Sequence, residues 1–101
     1  VNVVGGVRID EPAADLALAL ALVSSLLETP VPHGLAAFGE LGLAGEVRGS
    51  AMARRRVNEA RKFGFNLCVL PKSCMGDFEE DNVSLLPVRG LRQAIETALD
   101  R

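Results

Sequence analysis

The 101-residue chain is 49% hydrophobic and 24% charged, a globular composition at a length that holds one small domain or part of a larger one. That excludes a disordered tail and leaves no room for a motor beside a separate reader, while four aromatic residues, all Phe, are too few for the base-stacking platforms of single-strand-binding sheets. Eleven Lys and Arg against thirteen Asp and Glu give a net charge of −2, which excludes a uniformly basic coat but not a local basic patch.

Val1 to Ile9 is rich in β-branched residues around Gly5-Gly6 and predicts a strand with a bulge or close backbone approach at the glycines. Asp10-Glu11-Pro12 then changes the period. Asp10 or Glu11 offers a cap, Pro12 fits a first turn where its missing donor costs nothing, and Asp15 complements the dipole. A helix is expected from about Pro12 to Glu28. Being apolar all round, it should be buried on more than one side.

Thr29-Pro30-Val31-Pro32-His33-Gly34 is a loop by its prolines and glycine, with His33 exposed. Leu35 to Leu41 is a short apolar strand, and Leu41 to Arg48 a tight turn and a second strand over Glu46-Val47-Arg48. A helix follows from about Ser50 to Phe63, ended by Gly64. Phe65 to Leu70 is a strand closed by Pro71, Gly76 to Asp81 a solvated acidic loop, Val83 to Val88 a last strand and Leu91 to Leu99 a terminal helix. This order predicts an α/β layered domain with a mixed sheet and packed helices.

The run from Leu16 to Leu27 falls short of the roughly 20 residues that span a bilayer. It reads as a core helix and not a membrane anchor. Cys68 and Cys74 are too few for a disulfide scaffold or a four-ligand zinc site, so a reducing cytoplasm is the default. Cys68 alternates with Leu67 and Val69 as an inert core thiol, and Cys74 falls in a loop. The chain opens on Val1-Asn2-Val3-Val4 without an initiator Met, as a fragment of a longer protein would.

Gly5-Gly6-Val7-Arg8-Ile9-Asp10-Glu11-Pro12-Ala13-Ala14-Asp15-Leu16, followed by Phe38-Gly39-Glu40-Leu41-Gly42-Leu43-Ala44-Gly45-Glu46-Val47-Arg48, resembles the C-terminal domain of the RadA (Sms) family of bacterial DNA-repair proteins. Arg55-Arg56-Val57-Asn58-Glu59-Ala60-Arg61-Lys62-Phe63-Gly64-Phe65 and Val69-Leu70-Pro71-Lys72-Ser73 stand at the family's spacing. Gly76 to Val88 agrees in pattern alone. The resemblance implies a fold of the ribosomal protein S5 domain 2 type, shared with the proteolytic domain of Lon. Residues 1–101 would form the C-terminal two thirds of one such Lon-like domain, N-terminally incomplete.

Lon cleaves with a Ser–Lys dyad. By alignment, its nucleophile falls on Ala13 and its lysine near Arg54. A methyl group cannot attack a carbonyl, and a guanidinium that stays protonated cannot act as general base. The resemblance thus implies a domain without peptidase activity. No G-x-x-x-x-G-K-[ST] segment is present either, so nucleotide hydrolysis is not expected of this chain. In the parent, ATP, Mg and Zn are expected in a RecA-like ATPase and a Cys-rich motif upstream, with no cofactor held here.

Arg48, Arg54, Arg55, Arg56, Arg61 and Lys62 concentrate six of the eleven cations in fifteen residues that include Glu59 as their one acid. At about 100° per residue, Arg54, Arg55, Asn58, Arg61 and Lys62 share one arc, opposite Met52, Ala53, Val57, Ala60 and Phe63. Such an arc suits phosphates, although a solvated face of no special role has the same pattern. Arg56 projects between Met52 and Phe63 and calls for a carboxylate from Glu40, Glu46 or Glu11, with Glu40 the chosen partner. Arg8 points away from the core side of its strand, and Lys72 is either a phosphate contact or a solvated lysine.

The family implies homo-oligomeric, hexameric rings that bind single-stranded or branched DNA and drive branch migration, in the cytoplasm and without a membrane. The DNA-binding candidates are Arg54, Arg55, Arg61, Lys62 and Lys72. Two other readings are an ATP-dependent Ser–Lys peptidase of the Lon class, and the Lon-like segment of a magnesium-chelatase-type ATPase, whose Gly-Glu-Leu and Val-Arg strands look similar. A purely structural oligomerisation module is a third.

Overall fold

The computed structural model describes residues 2–4, 7–9, 14–49, 52–77 and 83–99, with the backbone alone for 2–4, 7–9, 76 and 77. Seven strands are described: β1 (Asn2–Val4), β2 (Val7–Ile9), β3 (Leu35–Ala37), β4 (Glu40–Leu41), β5 (Val47–Arg48), β6 (Leu67–Pro71) and β7 (Ser84–Val88). Three α-helices accompany them: α1 (Asp15–Leu27), α2 (Ala53–Lys62) and α3 (Leu91–Leu99). Among the described residues, no helix is long and apolar enough to cross a membrane.

The architecture is α/β, with parallel and antiparallel pairing in separate ladders. The central sheet is parallel in the order β3-β6-β7, while β1-β2 and β4-β5 are antiparallel pairs. β6 lies in the middle, and its Cys68, Val69, Leu70 and Pro71 are all buried, as expected of a parallel strand covered on both faces. Alternate side chains go to opposite layers. Val69 joins Leu16 and Leu20 of α1, Val47, Val88, and Ala94, Ala98 and Leu99 of α3. Cys68 and Leu70 join Phe38, Cys74, Val83 and Val57 of α2.

Several elements differ from those expected. The Val1 to Ile9 segment is two strands, paired Asn2↔Ile9, Val3↔Arg8 and Val4↔Val7, because reversal gives each half a ladder of backbone hydrogen bonds that one bulged strand would leave unmade. The expected bulge at Gly5-Gly6 and cap at Asp10, Glu11 and Pro12 lie outside the described residues. α1 buries Leu16 and Leu20 against the sheet and α3, but Leu22, Leu26 and Leu27 are 59%, 82% and 59% exposed. An apolar sequence cannot bury itself on a side that no described element covers.

The expected Leu35 to Leu41 strand breaks after Ala37. Phe38 donates its N–H to the Val69 carbonyl (3.1 Å), and the Gly39 carbonyl accepts from Leu16 N–H (3.0 Å). From there β4 leaves the sheet to pair with β5, Glu40↔Arg48 and Leu41↔Val47. Gly39 has φ 151°. A Cβ on it would stand 3.0 Å from Val47 Cγ1 and 3.2 Å from Pro71 Cγ.

β6 starts two residues later than expected and includes Pro71. Lys72–Asp77 is a 3-10 helix, so the start of the expected acidic loop is ordered, and Cys74 is buried in the core rather than lying in an open loop. Helix ends follow local rules. The C-terminus of α1 closes by Thr29 N–H to Ser24 O (3.0 Å) and Glu28 N–H to Ser25 O (3.2 Å), with Glu28 left-handed, a Schellman arrangement followed by Pro30. α2 ends the same way at Gly64, through Phe65 N–H to Ala60 O (3.0 Å) and Gly64 N–H to Arg61 O (3.1 Å).

Gly39→Ala is expected to destabilise the protein by about 2–4 kcal/mol, from the unfavourable φ and the crowding of Val47 and Pro71. Gly45→Ala, at φ 84° with open space around the added methyl, should cost only about 1 kcal/mol. Urea denaturation of both variants checks the difference.

Candidate nucleic-acid interface

α2 forms because its sequence is amphipathic over three turns. Val57 is fully buried, with Ala53 packed against the same cluster. The expected apolar arc is narrower than its sequence pattern, since Met52 and Phe63 at its two ends are 55% and 77% exposed. The helix begins at Ala53, and the expected start at Ser50 lies outside the described residues.

Its first turn is unusual. Arg54, Arg55 and Arg56 stand there without an acidic residue, and the preceding Met52 is left-handed (φ 61°, ψ 39°) and makes no side-chain cap hydrogen bond. Positive charge at a helix N-terminus opposes the macrodipole, at about 0.3–1 kcal/mol per charge. Arg61 and Lys62 in the last turn have the favourable orientation. Helix stability therefore accounts for the second pair and not for the first three.

Arg54, Arg55 and Lys62 are exposed, whereas Asn58 and Arg61 are half-buried, and Arg61 Nε is shielded from solvent. Arg54, Arg55 and Lys62 border one shallow depression of about 600 Å³ together with Met52, Asn58 and Glu59. A second depression, about 590 Å³, runs between α2 and β3, with Ala36, Ala37, Phe38 and Cys68 on one side and Arg55, Arg56 and Glu59 on the other. Arg55 belongs to both. Lys72 is exposed but lies apart, in a cleft with Val47, Ser73, Val88 and Arg89. Arg89 was not among the expected site residues, because a single arginine between a strand and a helix carries no local pattern.

Arg56 is half-buried beside an exposed Met52, so its surroundings are wetter than the sequence implied. Of the carboxylates considered for it, Glu46 is engaged by Arg48, whose Nη2 and Nε donate at 3.0 and 3.2 Å to Oε2. Glu11 and the degenerate nucleophile position Ala13 lie outside the described residues. The Glu46 carboxyl is held below its usual range, chiefly by its own backbone N–H, then by the Arg48 hydrogen bond, with a further one from Ala44 N–H and against an opposing push from partial burial.

Neither Cys68 nor Cys74 is in a disulfide, and both are buried in one apolar cluster. Burial pushes the Cys68 thiol up to about 12, which does not suit a zinc thiolate. Among the described residues, no group of three or more His, Cys, Asp and Glu could hold a metal ion.

Residues 1–74 match the protein family described as Subunit ChlI of Mg-chelatase. The chain is 46% identical over 96 residues to the DNA repair protein RadA of Aquifex aeolicus (strain VF5), covering 95% of this chain and 21% of that protein. Identity is 43% over 95 residues to the Escherichia coli (strain K12) protein of the same name, covering 94% and 21%. It is 40% over 103 residues to that of Halalkalibacterium halodurans, covering 100% and 22%. The chain spans about a fifth of the length of these curated relatives.

The Cys68 shift has a defined sign. Its folded pKa lies above the ordinary thiol value of 9.0, so stability is fully present below pH 9 and is lost as pH rises from about 9 toward 12. Native protein is expected to leave Cys68 unmodified by iodoacetamide at pH 8, with modification appearing on unfolding. Peptide mapping after labelling checks this.

Proposed function

The chain belongs to the family of the Mg-chelatase subunit ChlI and is similar to bacterial DNA repair proteins RadA, and from that premise we propose that it is a Lon-like domain serving DNA repair by binding DNA and helping to assemble a ring. The observation that carries the DNA-binding half is the first turn of α2. Arg54, Arg55 and Arg56 stand where positive charge weakens the helix, and an anion there removes the penalty, with the N–H groups of a helix start as further donors. Phosphate is the anion whose geometry arginine matches by paired hydrogen bonds.

In this reading Arg54, Arg55 and Lys62 hold the backbone of single-stranded or branched DNA, Arg61 steadies the same face from its half-buried position, and Arg56 pairs with Glu40. The domain does no peptide hydrolysis, since Ala13 and Arg54 stand at the positions of the Lon dyad. ATP, Mg and Zn belong to other parts of a cytoplasmic parent that drives branch migration.

The ring-assembly half is supported by α1. Leu22, Leu26 and Leu27 are exposed on a helix with no charged residue between Asp15 and Glu28, the pattern of a surface that meets another protein face. A homohexamer is the expected assembly.

Arg54→Glu with Arg55→Glu in the intact protein should weaken binding to single-stranded DNA by at least about tenfold and flatten its salt dependence, as read by fluorescence anisotropy at several salt concentrations. Unchanged affinity in a folded ring overturns the DNA-binding half. Leu22→Glu with Leu26→Glu should lower the assembled mass in light scattering while circular dichroism is unchanged, and an intact ring overturns the role given to α1.

A further inference from the structure

The parallel register of the central sheet places two cations side by side. Pro71 pairs with Val88 as the last pair of β6 and β7, so the next residues, Lys72 and Arg89, emerge together at the C-terminal ends of adjacent strands, which lie about 4.8 Å apart. Both are exposed. They line one cleft of about 400 Å³ with Val47, Ser73 and Val88, and among the described residues no carboxylate lines it. Like charges at neighbouring strand positions are destabilising, and the carboxyl ends of parallel strands are where open α/β sheets take their ligands.

The main chain of Arg89 is fixed while its side chain is exposed. Its N–H donates to Gln93 Oε1 (2.8 Å), and its carbonyl accepts from Val47 N–H (2.9 Å). Ser73 adds a hydroxyl beside Gly49, where an added Cβ would stand 3.0 Å from Ser73 Oγ. Gly49 lies three residues before Met52, so at most about 11 Å of chain separates the cleft edge from the first turn of α2. Arg48, on the same segment, is already held by Glu46.

We propose that Lys72, Ser73 and Arg89 form a second phosphate-binding site, which takes the backbone of a single DNA strand continuing from the basic end of α2. This rests on the reading of α2 as a DNA-contacting helix, which it extends with a site on a different part of the fold. The site reads no base. Its lysine and arginine neutralise phosphate charge, and the Ser73 hydroxyl donates a hydrogen bond to a phosphate oxygen.

The test uses Lys72→Ala with Arg89→Ala in the intact protein, with Lys72→Arg as a variant that keeps the charge. Anisotropy titrations of a fluorescent oligothymidylate at several salt concentrations are expected to show about tenfold weaker binding for the double variant. The log–log salt slope should be shallower by about 0.7 for each lost contact, and Lys72→Arg should bind like the parent. Unchanged affinity and slope in the double variant, with binding lost on reversal of Arg54 and Arg55, overturns this site and leaves the α2 reading intact. If neither set of variants alters binding, both fail. Loss of thymidine monophosphate binding without any change in DNA binding overturns the strand assignment, since the cleft would then hold a free nucleotide.

Discussion

The fold turns on the absence of a side chain at Gly39. At that residue the chain leaves the parallel sheet, and three elements meet over it: Leu16 of α1, Val47 of β5 and Pro71 of β6. The hydrogen bonds of Phe38 to Val69 and of Leu16 to Gly39 fix the exit point from both sides. Asp15 adds a third tie, its carboxylate accepting from Leu41 N–H at 3.2 Å. Phe38 meanwhile packs in the α2 layer, so two consecutive residues join the layers across the sheet. The β4-β5 pair then docks beside α3, where Leu91 N–H reaches the Gly45 carbonyl at 2.8 Å.

That pivot also sets the electrostatics. β5 delivers the chain to the start of α2, and the route passes Ser73 and the cleft with Lys72 and Arg89. A chain of net charge −2 thereby gathers cations at a helix start and at two strand ends. Glu46 is spent on Arg48 and on the turn beside it, through Ala44 N–H. Segregation of charge, and not its total, governs whether a polyanion is attracted.

The same face carries a buried thiol beside its cations. Cys68 faces the groove between α2 and β3 but is an apolar, un-ionised thiol, and Arg54 offers a permanent cation rather than a base. Beside them the exposed Glu59 lines both depressions. On the proposed reading the cations bind and position an anion without transforming it.

Much of the fold was written in local chemistry. Gly64 marked the end of α2, Leu91 to Leu99 the last helix, and the run through Cys68 to Leu70 the buried central strand, because helix ends and strand periodicity depend on residues a few positions apart. The family resemblance, too, was carried by contiguous blocks of sequence. The break at Gly39 and the burial of Cys74 were decided by partners distant in sequence, and so was the outer side of α1 that no described element covers. The reversal between Val4 and Val7, by contrast, is a local pairing that the β-branched pattern does not distinguish from one strand. For the site, the sequence by itself determined that Arg54, Arg55 and Lys62 share a helix face, since a 3.6-residue period is enough to place them. Only the tertiary structure decided that Arg61 turns partly inward and that Lys72 stands beside Arg89, because strand register is a pairing between residues seventeen positions apart, and no local pattern encodes it.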